Sequence, residues 1–311
     1  MIDQTKPLLV TGAHRSGTTW VGKMLAAGGD FAYVSEPLNV HHRPGVFNAP
    51  INHWYTYISS ANEQDFLPAF GDTLALRYRL GAELKSLRSL KDAGRMGRDL
   101  GRFLAGRAGR RRPLLKDPFA VFSADWFEKR LGCRVIISVR HPAAFVSSLK
   151  RLGWSFNFNS LLDQPLLMAD LLGGFEKEML AAKNAPDDLI ARGSLLWRMV
   201  YHVVLRYQQE SKPFIVVRHE DLSLDPVSQF KSLYAQVGID FTRQAQQRIR
   251  KATGGDNPAE VSRNSVHSVH LDSQANLLNW QKRLTHDEIN QIRELTAEVA
   301  EHYYSAEDWP K

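Results

Sequence analysis

Short apolar runs punctuate the chain, each ending where polar or charged residues take over: Leu8-Leu9-Val10, Phe31-Ala32-Tyr33-Val34, Pro113-Leu114-Leu115, Val135-Ile136-Ile137 and Phe214-Ile215-Val216-Val217. Continuous rather than alternating apolarity predicts strands buried on both faces, as in a parallel sheet. Helical spacing fills the intervals. Leu189 to Glu210 carries Leu195, Leu196, Met199, Val203 and Tyr207 three or four apart, and Leu166 to Lys183 has the same period. Asp225-Pro226 opens a helix that ends before Gly238. Thr285 to Tyr304 is an amphipathic helix with Thr285 as cap, Glu288 completing a capping box, and Ile289, Ile292, Leu295, Val299 and Tyr303 facing inward. Strand and helix in alternation predict an α/β fold with a central parallel sheet flanked by helices.

Two stretches break the pattern. Residues 40–76 hold His41, His42, Trp54, Tyr55 and Tyr57 without a clean period and read as a long structured loop. Arg77 to Arg112 is dense in Arg and Lys, with Leu80, Leu84, Leu87, Leu90, Leu100, Phe103 and Leu104 as a broken helical stripe. Residues 1–311 are expected to form a single domain, with 40–112 as an insertion. The patterning makes that insertion either a cover over the ligand side or a solvated basic helix.

The first strand runs into Thr11-Gly12-Ala13-His14-Arg15-Ser16-Gly17-Thr18-Thr19-Trp20 and then into helix-spaced Val21-Gly22-Lys23-Met24-Leu25. Strand, glycine turn with hydroxyls, and helix start make an anion site, because converging N–H groups and the positive helix end meet there. The spacing approaches the nucleoside-triphosphate loop, but Thr18 stands where that loop has its lysine. Arg15 is the loop's cation. That suits a donor without a triphosphate tail and without obligatory magnesium.

In a parallel sheet, ligands collect at the carboxyl ends of the strands. Glu36 therefore falls beside the loop as a candidate general base, with Asp117 as its rival, although Asp117 also suits a helix cap. Lys116 is positioned to steady a transferring group. Arg140-His141-Pro142 closes the fourth strand and starts a helix through Ser148. Ser155-Phe156-Asn157-Phe158-Asn159 reads as a further loop on the acceptor side. Adjacent Glu220-Asp221 reads as structural, and His267 with His270 lack the further ligand a metal would need.

Charge and cysteine usage narrow the setting. A net charge of +7 favours anionic partners, and the single cysteine, Cys133, excludes an internal disulfide and suits a reducing compartment. A polar start and the lack of any span-length apolar segment lead us to expect a cytoplasmic protein without leader or anchor.

Arg15-Ser16-Gly17-Thr18-Thr19-Trp20 resembles the 5′-phosphosulfate loop of sulfotransferases that use 3′-phosphoadenosine 5′-phosphosulfate (PAPS). Val135 to Arg140 with Ser148 eight residues on resembles their second donor signature, a strand-end arginine and a serine. Ser35-Glu36-Pro37-Leu38 is similar to the Glu-Pro element of Golgi-type carbohydrate sulfotransferases. Arg218-His219-Glu220-Asp221-Leu222 resembles a Tyr-Glu-Asp-Leu segment, with His219 in place of tyrosine, and Trp280 to Leu284 resembles a late Trp-x-x-x-Leu element. The resemblance implies a P-loop-type fold with insertions over the acceptor. It implies PAPS as donor and its bisphosphate (PAP) as product, with no metal. Arg15 would contact the sulfonate and the leaving phosphate, Ser16, Gly17, Thr18 and Thr19 would wrap that phosphate, Trp20 would stack on adenine, and Arg140 and Ser148 would hold the 3′-phosphate. His14 and Arg263 are counted with the donor site, and the family's histidine base is replaced at Lys116-Asp117-Pro118, which points to Glu36. The expected partner is a small-molecule or glycan acceptor, with no specific nucleic acid, a possible contact of Arg77 to Arg112 with acidic surfaces, and an open oligomeric state. The rival readings are a non-catalytic polyanion-binding protein and a small-molecule kinase.

Overall fold

The computed structural model describes residues 5–261 and 269–310. Its centre is a five-stranded sheet, β1 (Leu8–Gly12), β2 (Phe31–Ser35), β3 (Arg112–Lys116), β4 (Arg134–Val139) and β5 (Ile215–Arg218). The strands lie in the order β2-β3-β1-β4-β5, all parallel. β1 is central and wholly buried. Its side chains alternate between two cores, because successive residues of a strand point to opposite faces. Leu9 joins Val34, Leu115, Val135 and Ile137 on one face, and Leu8 and Val10 join Phe31, Leu114 and Ile136 on the other.

Helices cover both faces. On the Leu8 side lie α1 (Thr18–Leu25) and the helices Pro226–Gln236 and Arg243–Thr253. The Leu9 side receives the helix Leu189–Gln209 and the closing helix His286–Ala300, where Thr285 and Glu288 form the capping box. Between β2 and β3 run α2 (Leu67–Leu74), α3 (Leu80–Ser86) and α4 (Leu90–Ala108), while α5 (Ala124–Leu131) and α6 (Pro142–Leu152) flank β4.

Three expectations change in detail. β5 is half-buried along its length, not fully buried, because it is an edge strand. The helix expected over Leu166 to Lys183 is interrupted by a π-turn at Met168–Leu172 and a 3₁₀ turn at Gly173–Phe175, where Gly173 and Gly174 weaken helix propagation. Within residues 40–76, α2 forms where none was expected, burying Ala69 and Phe70 against Phe47, Trp126 and Phe127.

Candidate active site

At the end of β1 two glycines have no substitute. A Cβ on Gly12 (φ +139°) would lie 2.3 Å from the Ser138 carbonyl oxygen, and one on Gly17 (φ +90°) 2.5 Å from His219 Nδ1. Between them Arg15 adopts φ +68°. The turn is braced from inside: Ser16 donates to the Ala13 carbonyl from both its N–H (3.1 Å) and its hydroxyl (2.6 Å), and Ser138 Oγ donates to the Ser16 carbonyl at 2.7 Å. Ser16 is therefore a brace, not the phosphate-wrapping donor expected from sequence; its side chain is buried and lies off the cavity wall. Tyr201 secures the same turn, donating to the Ser138 carbonyl at 3.0 Å and accepting from the Ala13 N–H at 3.4 Å.

The turn opens into a cavity of about 690 Å³. Gly17, Thr18, Thr19 and Trp20, the first turn of α1, form part of its wall. N–H groups in a first helical turn have no partner inside the helix, so this wall offers donors and the positive end of the macrodipole. The sheet brings Arg140 and Ser148 to the same place. Arg15 Nε donates to Ser148 Oγ at 3.0 Å, and Arg140 Nη1 donates to the Arg15 carbonyl at 2.9 Å. Trp197 fixes the backbone behind them, its indole donating to the Arg140 carbonyl at 2.8 Å.

These cations are held in an unfavourable setting. Burial first, and then the neighbouring Arg140 and Arg151, lower the Arg15 pKa to about 10. Burial likewise lowers that of Arg140, whose buried Nε has no hydrogen-bond partner among the described residues. Buried positive charges crowded together destabilise one another, and a bound anion is what relieves them.

His14 also faces the cavity. Its Nδ1 lies 2.7 Å from the Tyr55 hydroxyl, which also accepts the His14 backbone N–H at 3.2 Å. Tyr55 is fully buried, so its own O–H needs an acceptor, and Nδ1 is the one in reach. That assignment leaves the proton on Nε2 and makes His14 a donor. Burial, followed by the Arg15 charge, lowers its pKa to about 4 and keeps it neutral.

Glu36 stands on the wall at φ +51°, just past β2. Lys116 Nζ pairs with its Oε1, and Asn39 Nδ2 donates to its Oε2 at 2.7 Å. Lys116 is 2 % exposed and off the wall, so it acts on Glu36 and not on a group in the cavity, contrary to the sequence expectation. Asp117 is 1 % exposed and also off the wall. Its carboxylate accepts the Leu38 N–H at 2.6 Å and the Phe119 N–H at 3.0 Å, which pins the Glu36 turn and caps the next segment. Burial raises its pKa to about 7, with the Glu36 charge adding to the effect. With no opening to the cavity, the Asp117 carboxylate is directed at these two backbone N–H groups.

Aromatic residues line the same cavity, Trp54, Phe119, Trp154 and Phe156 with Asn39 and His41; Phe119 and Phe156 stack on His14, and the Arg15 guanidinium lies 6.0 Å from the Trp154 ring. Both loops expected to face an acceptor thus contribute. Arg263 and His267 lie outside the described residues. The wall residues missed from sequence include Arg151, Arg283, His219, Ser223, Ser273 and Asn276. Arg151 had a signal, since it follows Ser148 by three positions on one helix face. Arg283 lies within the Trp280 to Leu284 element, where it pairs with Glu260 at 3.2 Å. His219 is buried, neutral with its pKa lowered to about 3, and packs edge-on against Trp20. Among the described residues, no His, Cys, Asp and Glu cluster could hold a metal ion, and no helix is long and apolar enough to cross a membrane.

The sequence pattern of the sulfotransferase family matches residues 7–243. Carbohydrate sulfotransferase 1 of Danio rerio is 30% identical over 89 residues, 29% of this chain; the match spans 20% of that relative's length. Among solved structures, the sulfotransferase domain of the Synechococcus PCC 7002 olefin synthase is 17% identical at a TM-score of 0.46, covering 97% of both chains. A mouse sulfotransferase complexed with PAP is 15% identical at a TM-score of 0.45, covering 96% of this chain and 85% of its own.

Proposed function

The chain belongs to the sulfotransferase family, and from that premise we propose that it moves a sulfuryl group from PAPS to a hydroxyl of a carbohydrate or glycosylated metabolite. The observation that carries this reading is the meeting of Arg15, Arg140 and Ser148 at the first turn of α1, within one cavity that aromatic side chains also line. An amine is the less favoured acceptor.

The donor brings an activated sulfuryl group on a phosphate–sulfate anhydride. Gly17, Thr18 and Thr19 receive its 5′-phosphate, Trp20 its adenine, and Arg140 with Ser148 its 3′-phosphate; the orphaned Nε of Arg140 is the donor that a 3′-phosphate would satisfy. Arg15 neutralises charge gathering on the bridging oxygen as the S–O bond breaks, and His14 directs its N–H at the sulfonate oxygens. The acceptor oxygen forms the new S–O bond on the opposite side, and Glu36 takes its proton. Lys116 and Asn39 hold the Glu36 carboxylate in place on the wall before the acceptor arrives. Aromatic faces and hydrogen-bonding groups, Trp54, Trp154 and Phe156 with Asn39 and His41, suit a sugar ring. The relative's name, a carbohydrate sulfotransferase, agrees with that choice. A lone buried thiol, Cys133, suits the reducing cytoplasm.

Titration calorimetry with adenosine 3′,5′-bisphosphate, with and without magnesium and alongside ATP, tests the donor. We expect metal-independent binding of the bisphosphate that is lost in Arg140→Ala. Preference for ATP with magnesium would replace this reading with a kinase.

A further inference from the structure

Residues 77–112 hold twelve Lys and Arg against three acids, Glu83, Asp92 and Asp99, a surplus of nine. The whole chain carries +7, so everything outside this stretch is acidic by two. None of these residues lines the cavity. The charge belongs to a different surface, and α4 defines it.

At about 100° per residue, the exposed positions of α4 fall on one side of the helix. Leu90, Gly94, Gly97, Gly101, Leu104 and Ala108 form a stripe, and Lys91, Arg95, Arg98 and Arg102 form a row beside it. Leu90 is 93 % exposed and Leu104 57 %, and Leu84 on neighbouring α3 is 51 % exposed. Above each of the three glycines there is open space. Glycine is a poor helix former, so three of them on a water-facing helix are not there for helix stability. They make a smooth strip between two leucine ends. Such a strip lies close against a flat apolar layer, while the adjoining cations reach outward past it to anionic groups. Two carboxylates stand against the four cations of the row, Asp92 facing Arg95 and Asp99 shared by Arg98 and Arg102, which leaves a surplus of positive charge.

We propose that α4 is a membrane-contact face that lays the protein on a bilayer containing anionic phospholipid. The proposal is independent of the reading of the cavity. Leucines distinguish this occupant from a soluble polyanion, which needs the cations alone. Each surface Lys or Arg contributes about fivefold to binding an anionic membrane, and salt screens it.

The test is sedimentation of the full chain with vesicles of phosphatidylcholine, with and without phosphatidylserine. We expect binding only with phosphatidylserine, weakening with salt. The triple variant Lys91→Glu, Arg98→Glu, Arg102→Glu should lose at least about a hundredfold in partitioning. Leu90→Ser with Leu104→Ser should lose about tenfold or more with its charge and melting temperature unchanged. Absence of binding to the phosphatidylserine vesicles would overturn the proposal. Undiminished binding by the leucine variant would also overturn it and make the face a polyanion surface.

Discussion

Arginines occur in this molecule in two settings, the cavity wall and the α3–α4 surface, and the contrast separates charge from function. On the wall, Arg15 and Arg140 lie half-buried beside one another, and loss of water lowers the pKa of each. Along α4, Arg95, Arg98 and Arg102 stand in water and pair with Asp92 or Asp99 a turn or less away. Coulomb energies are several times larger where water is excluded, so the few half-buried cations outweigh the many exposed ones in ligand binding. The net charge in the sequence reports mainly the second group. The proposed donor site rests on the first.

The sharpest way to break this contrast is Arg15→Ala. Removing one well-placed donor typically costs on the order of 10²–10³ in rate. We expect that loss in sulfuryl transfer, with a normal circular dichroism spectrum, and near-normal turnover would remove Arg15 from the mechanism. Next comes Glu36→Gln, which should abolish transfer yet retain bisphosphate binding; calorimetry that shows both lost would make the Glu36–Lys116 pair structural.

Acid provides a third probe, because three buried histidines are held neutral. His14 has its pKa lowered to about 4, and His141 and His219 to about 3, burial being the first cause in each. The unfolded chain protonates them near 6.5, so their contribution is complete above that pH and is lost as pH falls toward 4. Asp117 acts in the opposite sense. Its pKa, raised to about 7, gives stability that is present at low pH and lost as pH rises through the carboxylate range to 7. His42 is lowered by burial in the same sense, so four histidines stand against two raised carboxyls, Asp117 and Glu220, and predict a melting temperature that falls from pH 6.5 to pH 5; a flat curve there would contradict the burial assigned to the histidines.

The smallest effect should come from the exposed set. Reversing Arg95, Arg98 and Arg102 should leave the transfer rate within about twofold and stability within about 0.5 kcal/mol per site, as surface substitutions generally do. A larger fall in rate would mean that the two arginine groups communicate.

Much of the fold was legible because its strands are continuous apolar runs and its helices carry local punctuation. The Thr285–Glu288 capping box and the helix beginning at Pro142 are local devices, set by neighbours within one turn, and both formed as read. The loop was legible for the same reason, since Gly12 and Gly17 answer to backbone geometry. Ser16 shows the limit. As a hydroxyl in a phosphate-type loop it reads as a ligand group, and only the fold turns it back onto Ala13.

What the sequence determined by itself was therefore the order of elements, the glycine turn after β1, and the residue types at the strand ends. The tertiary structure decided which of those residues face the cavity. It turned Lys116 and Asp117 inward behind Glu36, placed Tyr55 against His14 from 41 positions away, and added Arg151, Arg283 and His219 to the wall. The physical reason is range: caps, turns and apolar periods act over a few residues, whereas the field and burial that tune a site come from segments that meet only when the sheet is assembled.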